Sequence, residues 1–220
     1  MNKNSMKYLL FDFDGTIVDS MPFLESNAVY LLTNKYGFTP DKARDWYRKT
    51  TGLPFVQQME IISPGRDNSQ IVNEFERLKL ERIYEQELFA DSLNVLQELK
   101  RRNYRLGISS GSIESIITNY LQIQGLNMTD DILGWRPGFE KGKDHFNFVR
   151  SKYKLSHSNI AFIGDSLNDA IRAKQNKIYF IGRIGMFQEE DFEKIVPGTL
   201  VVSSLTEILP FFPTRNSDNS

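Results

Sequence analysis

The sequence predicts an α/β fold, in which a parallel sheet is covered by helices on both faces and an all-α helical cap is inserted after the first strand. From residue 91 onward, short apolar runs typical of buried strands alternate with segments whose apolar residues recur at helical spacing. An earlier strand-like run, 8–10, is followed by a long block with helical spacing and no strand signal. The predicted domains are a core of residues 1–17 and 91–212, a cap of residues 18–90 and a polar, disordered tail of residues 213–220.

Composition sets limits on the function. The 220 residues suit one core domain with a smaller insertion, and a hydrophobic content of 40% allows a sizeable core. A formal net charge of −1 argues against nucleic acid or an anionic membrane as a partner bound by bulk charge. The absence of cysteine excludes disulfides, thiolate metal sites and a cysteine nucleophile. Neither a signal peptide nor a membrane span is recognisable, so we expect a cytoplasmic location.

The individual elements follow from periodicity and from breaker residues. In the cap, helices are predicted at 21–36, at 41–48 with Asp41 as N-cap, at 55–62 and at 69–89. In the core, strands are predicted at 8–10, 104–108, 132–133, 159–163, 178–181 and 200–202, and helices at 92–103, 112–124, 144–153, 167–174 and 205–209. Because open parallel sheets bind ligands at the carboxyl ends of their strands, the residues that follow each strand are the candidates for function.

Two carboxylates follow the first strand. Side chains alternate along a strand, so Asp12 and Asp14 point the same way while Phe11 and Phe13 point into the packing. Gly15 then allows a sharp turn and a close approach of the backbone to a ligand. Such a pair suits a divalent cation together with acid-base or nucleophilic chemistry. The alternative interpretation is a pair of solvated turn acids.

Polar residues also follow two later strands. Ser109, Ser110 and Ser112 lie at a predicted helix start, where hydroxyls and backbone N–H groups bind anions or simply cap the helix. Asp165 and Asp169 lie about one helical turn apart, so both can face one point and bind a cation such as Mg²⁺. Acids that merely favour a helix N-terminus are the alternative.

Two lysines lie between these segments, in a loop with flanking glycines. Lys141 and Lys143 are either solvated surface residues or, beside a phosphate site, the source of a positive charge that screens a phosphoryl group from an attacking carboxylate.

Taken in chain order, the aspartate pair, the serine after a strand, the lysine and the Gly164–Asp169 segment resemble the haloacid dehalogenase-like (HAD) superfamily. Residues 11–20 are close to the first motif of that family. A helical insertion directly after this motif resembles the small cap of phosphoglycolate-phosphatase-like and β-phosphoglucomutase-like members. The resemblance implies a Rossmann-like core and dependence on Mg²⁺.

The resemblance also implies a role for each motif residue. Asp12 would be the nucleophile that forms an aspartyl-phosphate, and Asp14 would be the general acid and base. The metal ligands would be Asp12, Asp165, Asp169 and the backbone carbonyl of Asp14. Ser109 and Ser110 would hold a phosphoryl oxygen. Lys141, with Lys143 as the alternative, would be the lysine of the phosphate site.

An aspartate at position 14 favours phosphate chemistry, because dehalogenases and phosphonate-cleaving members lack it. We therefore expect a Mg²⁺-dependent phosphatase that acts on a small phosphorylated metabolite. A sugar phosphomutase is the alternative within the superfamily, and a non-catalytic binding module on the same scaffold is the alternative outside enzyme function. The oligomeric state is not predicted.

Specificity is expected to come from the cap. The turn between two short cap helices carries Thr51 and Gly52, with Arg48 and Lys49 beside it, and these residues are predicted to contact the leaving group. A turn with a purely structural role is the alternative.

Overall fold

The computed structural model describes residues 6–215 and contains a six-stranded sheet in the order β3-β2-β1-β4-β5-β6. The strands are β1 (Tyr8–Phe11), β2 (Arg105–Ile113), β3 (Asp131–Trp135), β4 (Ile160–Gly164), β5 (Tyr179–Arg183) and β6 (Leu200–Val202). All neighbouring strands pair in parallel. The first strand lies between β2 and β4, so its carboxyl end is central in the sheet. The predicted α/β fold with a parallel core is confirmed.

Helices cover both faces of this sheet because the strand side chains are apolar on both. Leu9 and Phe11 of β1 pack on one side, and Tyr8 and Leu10 pack on the other. The first face is covered by α5 (Ser92–Arg101) and α6 (Glu114–Ile123). The second is covered by α7 (Lys143–Tyr153), α8 (Leu167–Gln175) and α9 (Glu189–Ile195). The hydrophobic core therefore forms two layers on the two sides of the strands.

The residues between β1 and α5 form four helices with a hydrophobic cluster of their own. These helices are α1 (Met21–Tyr36), α2 (Pro40–Thr50), α3 (Phe55–Ile62) and α4 (Ser69–Arg82). The chain enters and leaves this cap side by side, because the N–H of Phe89 donates to Ile17 and that of Asp19 donates to Glu87. The predicted domain boundaries stay a prediction, and the clustering of α1–α4 supports them.

Two predicted cap elements differ from the structure. The side chain of Thr39, and not of Asp41, caps α2 by accepting a hydrogen bond from the Lys42 N–H, so the helix starts at Pro40. The helix predicted at 69–89 ends at Arg82 and continues only as a 3₁₀ turn, Ile83–Glu85. Beyond this turn, the chain runs beside the segment that leads from β1 into the cap, where Leu88 forms an isolated antiparallel bridge with Val18. Apolar periodicity continues through this region, although the backbone is no longer helical.

Four differences concern the core. The second strand runs to Ile113, past its predicted end at residue 108, and α9 was not predicted. The segment predicted as helix at 205–209 is a 3₁₀ helix, Leu205–Phe211. Part of the predicted disordered tail is attached to the core, since Arg215 N–H donates to Arg102 and Pro213 accepts from Tyr104. Residues 216–220 lie outside the described residues. Within residues 6–215, no helix is long and apolar enough to cross a membrane.

Candidate active site

A small cavity of about 60 Å³ lies between the carboxyl end of β1 and the cap. The core contributes residues that follow β1 and β4, residues near the carboxyl end of β2, and Lys141 just before α7. The cap contributes the 51–54 turn together with residues of α1, α2, α3 and α4. The core residues that line it are Asp12, Asp14, Ser110, Gly111, Ser112, Lys141 and Asp165. Four of the predicted motif segments therefore meet at one point, as expected for the edge of a parallel sheet.

Lys141 joins two of the aspartates. Its Nζ lies 2.7 Å from Asp12 Oδ2 and 2.6 Å from Asp169 Oδ1, and the side chain is buried. Burial alone would lower the pKa of this ammonium, but the charges of Asp12 and Asp169 raise it, so the group is positively charged. Lys143, in contrast, is exposed at the start of α7. The geometry favours Lys141 over the alternative.

Three buried carboxylates form a group that could bind a metal. Oxygens of Asp12, Asp165 and Asp169 lie within 4.8 Å of one another. Oδ2 of Asp169 has no hydrogen-bond partner among the described residues. Burial and the neighbouring acids raise the pKa of Asp12, against the effect of Lys141, and raise that of Asp165 to about 7. A hard divalent cation fits this set of donors, because oxygen ligands and negative charge are what it requires.

Asp14 has different surroundings although it lies two residues from Asp12. Its carboxylate accepts hydrogen bonds from Ser20 Oγ and Ser112 Oγ, both at 2.7 Å, and forms an ion pair of 3.4 Å with Lys79 Nζ. Burial would raise the pKa of Asp14, but Lys79 and the two hydroxyls lower it. Lys79 belongs to α4, so the cap directly contacts this carboxylate.

The serines of β2 are divided between the two faces of the sheet. They lie inside the strand and not at a helix start, because β2 continues to Ile113. Ser110 and Ser112 line the cavity, whereas the Ser109 hydroxyl is 2.8 Å from Nδ1 of the buried His145. The alternation of a strand therefore directs Ser110 to the predicted phosphate position and Ser109 away from it. The position of the Ser109 hydroxyl does not support the side-chain role predicted for it.

The four predicted specificity residues separate into two pairs. Thr51 and Gly52 line the cavity. Arg48 instead forms an ion pair of 2.6 Å with Glu25, and Lys49 Nζ lies 5.6 Å from the ring centroid of Trp46. Neither basic residue lines the cavity, because the last turn of α2 directs both side chains toward the surface of the cap. The prediction for Arg48 and Lys49 is not supported by their positions.

The 51–54 turn is attached to the first turns of α8. Asn168 Nδ2 donates to the Thr51 carbonyl at 2.8 Å, and Arg172 donates to the Gly52 carbonyl at 2.6 Å. Gly52 has a φ of +86°, and a Cβ atom there would clash with the Ser166 hydroxyl. The turn therefore depends on glycine both for its backbone conformation and for its contact with the core.

Sequence reasoning missed the contribution of α4. Glu76 and Lys79 line the cavity and flank the same helix face as the buried Phe75. The sequence pattern does point to Lys79, because this lysine follows Phe75 by four residues and therefore lies on the apolar stripe of a predicted amphipathic helix. A charge on such a stripe requires a partner, and the structure provides Asp14.

Sequence comparison relates the chain to known enzymes. A family model described as haloacid dehalogenase-like hydrolase matches residues 9–183. The phosphoglycolate phosphatase of Synechococcus elongatus is 24% identical over 172 residues, which cover 77% of this chain and 80% of that protein. The phosphoglycolate phosphatase of Vibrio cholerae is 24% identical over 206 residues, which cover 81% of this chain and 84% of that protein.

Solved structures share the fold. A haloacid dehalogenase-like family hydrolase from Streptococcus pneumoniae superposes with a TM-score of 0.79 at 23% identity, covering 94% of this chain and 99% of that one. A hydrolase from Pseudomonas syringae gives a TM-score of 0.78 at 15% identity, covering 93% and 96%. The similarity extends over the sheet and the cap together.

Proposed function

We propose that this chain, which belongs to the haloacid dehalogenase-like hydrolase family, is a Mg²⁺-dependent phosphatase that hydrolyses a small phosphate monoester through an aspartyl-phosphate. The observation that carries the proposal is the pairing of two aspartates with opposite surroundings at one cavity. Asp12 lies beside Lys141 and the carboxylates of Asp165 and Asp169. Asp14 instead pairs with Lys79 of the cap. One carboxylate can thus attack phosphorus while the other carboxyl group protonates the leaving oxygen.

In the first step, a carboxylate oxygen of Asp12 forms a bond to phosphorus as the bond from phosphorus to the ester oxygen breaks. Asp14 would donate a proton to the leaving oxygen. Because the pKa of Asp14 is lowered in the protein without substrate, this role requires the negative charge of the bound phosphate to raise it. Lys141 and the Ser110 hydroxyl would bind phosphoryl oxygens as charge develops on them. In the second step, Asp14 accepts a proton from water, the water oxygen attacks phosphorus, and Asp12 is released with inorganic phosphate.

Mg²⁺ would be held by Asp12, Asp165, Asp169 and the carbonyl of Asp14, where it would neutralise the carboxylates and the phosphoryl charge. The unpartnered Asp169 oxygen and the raised pKa values of Asp12 and Asp165 support a cation at this position. These ligand assignments, like the catalytic roles, are part of the proposal.

The substrate class is a small phosphorylated metabolite, as the size of the cavity supports. Two related proteins are named phosphoglycolate phosphatases, so phosphoglycolate is one of the compounds to test. The cytoplasmic location stays a prediction from the sequence.

The proposal is tested by measuring phosphate release from a panel of small phosphate esters, with Mg²⁺ and with EDTA. We expect release that requires Mg²⁺ and that falls by at least about 1,000-fold in Asp12→Asn, because the amide cannot form the intermediate. Asp41→Asn, a change at an exposed cap carboxylate, is the matched control and should retain full activity.

Two results would contradict the proposal. A folded protein that releases no phosphate from any ester would favour the non-catalytic module. Conversion of a sugar phosphate to its isomer without net phosphate release would identify a mutase.

A further inference from the structure

The cap directs two charged side chains into the cavity, and only one of them has a partner. Lys79 is buried, donates to Ser112 and pairs with Asp14. Glu76 lies three residues earlier on α4, lines the same cavity and is only partly exposed. Its carboxylate makes no hydrogen bond and no ion pair with the residues that the structure describes.

Within residues 6–215, the core residues that line the cavity offer no free positive charge to Glu76. The cavity is lined by four carboxylates, those of Asp12, Asp14, Asp165 and Glu76, and by two ammonium groups. Of these ammonium groups, Lys141 pairs with Asp12 and Asp169, and Lys79 pairs with Asp14. Among the described residues that line the cavity, Glu76 therefore has no ion-pair partner of its own, and the nearby positive charge that acts on it, Lys79, is already paired with Asp14.

A carboxylate that is partly withdrawn from water without a hydrogen-bond partner is unfavourable in free energy, and a bound ligand that donates to it would remove this penalty. Burial raises the pKa of Glu76, the charge of Lys79 lowers it and that of Asp14 raises it again. Besides the 51–54 turn, the other cap residues that line the cavity are the apolar Met21, Leu24, Phe55 and Phe75 together with Tyr47 and Gln58. The amide of Gln58 is already used, since it donates to the Leu53 carbonyl. A polar group beside apolar side chains selects strongly for a ligand that forms a hydrogen bond with it. Any other ligand would remove water from the group without replacing the lost hydrogen bonds.

We infer that Glu76 recognises a hydrogen-bond donor, most favourably an ammonium group, on the leaving alcohol of the substrate. This inference rests on the proposed phosphatase function, since the leaving group is the part of the ester that faces the cap. An ammonium would neutralise Glu76, and a hydroxyl would bond to it without neutralising it. A carboxylate at the same place would add a like charge to the acidic cavity.

The test uses four phosphate esters whose leaving groups each have a two-carbon chain: O-phosphoethanolamine, 2-hydroxyethyl phosphate, ethyl phosphate and phosphoglycolate. We expect kcat/KM to fall in that order, with at least a tenfold advantage of the ammonium compound over ethyl phosphate. The series changes the charge of the leaving group while its chain length stays the same, so the order reports the charge preference of the cap.

The variant Glu76→Gln should lower kcat/KM for O-phosphoethanolamine at least tenfold more than it lowers kcat/KM for ethyl phosphate, so that the advantage of the ammonium compound is lost. It should retain activity on 2-hydroxyethyl phosphate, because the amide carbonyl still accepts a hydrogen bond. Glu81→Gln, which changes an exposed carboxylate of the same helix, is the control and should preserve the wild-type order. An unchanged order in Glu76→Gln, or phosphoglycolate as the best substrate of the wild type, overturns the inference.

Calorimetric binding to Asp12→Asn separates this inference from the proposed function. If this variant binds O-phosphoethanolamine at least tenfold more tightly than ethyl phosphate, and the added change Glu76→Gln abolishes the difference, the inference holds even where no hydrolysis is found. Hydrolysis without the charge preference overturns the inference alone. The absence of both hydrolysis and selective binding overturns both proposals.

Discussion

Asp12 and Asp14 show how two like residues on one strand edge acquire different properties. Asp12 is surrounded by other buried acids, so its pKa is raised despite the contact with Lys141. Asp14 faces Lys79 and two hydroxyls, so its pKa is lowered. In the protein without metal and substrate these shifts run opposite to the proposed roles, so the roles require bound Mg²⁺ to lower the pKa of Asp12 and the bound phosphate to raise that of Asp14.

At the same scale, Lys141 and Lys143 can be distinguished by substitution. We expect Lys141→Met to lower kcat/KM by at least about 100-fold, because the phosphoryl group loses a buried positive charge. It should also cost about 3–5 kcal/mol in the free energy of unfolding, since the carboxylates of Asp12 and Asp169 lose their counterion. Steady-state kinetics and urea unfolding provide the two measurements.

Lys143→Met is the matched control, because Lys143 is exposed two residues away in the same loop region. Its activity and stability should equal those of the wild type. If Lys143→Met is instead the damaging change, the assignment of the phosphate lysine to Lys141 is wrong.

His145 makes stability depend on pH. Burial, with the charge of Lys141, lowers its pKa in the folded protein to about 3, whereas an unfolded histidine has a pKa near about 6.5. Between these values the unfolded chain binds one proton more, so the free energy of unfolding falls as the pH falls. Comparison with His145→Gln isolates this contribution, and the wild-type value should fall by about 2 kcal/mol more than that of the variant between about pH 7 and 5.

The measurement is urea unfolding of both proteins at several pH values. His157→Gln, at the partly exposed second histidine, should show a much smaller difference. Parallel pH profiles of the wild type and His145→Gln would show that His145 is not held neutral in the folded protein.

At the scale of elements, the contact between the 51–54 turn and α8 determines how the cap meets the core. Gly52→Ala should reduce kcat/KM by at least about tenfold, because a misplaced positioning element is costly to catalysis. The added methyl group clashes with Ser166 and moves the turn away from Arg172. Steady-state kinetics on the best ester measures this effect.

Gly37→Ala provides the comparison for Gly52→Ala. Gly37 also has a positive φ, of +68°, but a Cβ atom there meets nothing within 4 Å. We expect it to lose about 1 kcal/mol of stability through backbone strain and to keep its activity. Equal activities of the two variants would mean that the contact between the turn and α8 does not affect catalysis.

At the scale of the whole molecule, metal binding should be coupled to global stability. Asp12 is far along the chain from Asp165 and Asp169, so the three carboxylates meet only in the folded protein. Mg²⁺ at about 100 times its dissociation constant should therefore raise the free energy of unfolding by about 2.7 kcal/mol. Thermal unfolding with Mg²⁺ and with EDTA measures the shift.

Asp165→Asn should abolish most of this stabilisation by Mg²⁺, whereas Asp191→Asn, at a partly exposed carboxylate of α9 outside the cavity, should not affect it. An equal response of the wild type and Asp165→Asn to Mg²⁺ would exclude Asp165 as a ligand.

The sequence by itself determined the fold class, most element positions and the central aspartates. These features depend on patterns between near neighbours, such as the alternation in β1 that directs Asp12 and Asp14 to one side. The sequence also limited the lysine of the predicted phosphate site to two candidates, Lys141 and Lys143.

Only the tertiary structure decided which candidates meet. Of the two serines predicted to bind phosphate, the alternation along β2 directs only Ser110 into the cavity. The packing of the cap places Glu76 and Lys79 in the cavity and leaves Arg48 at the surface of the cap. Lys79 and Asp14 are 65 positions apart in the chain. The physical reason is that periodicity specifies only which face of a helix or strand is buried. Which side chains then face each other across a cavity depends on how the separate elements pack together.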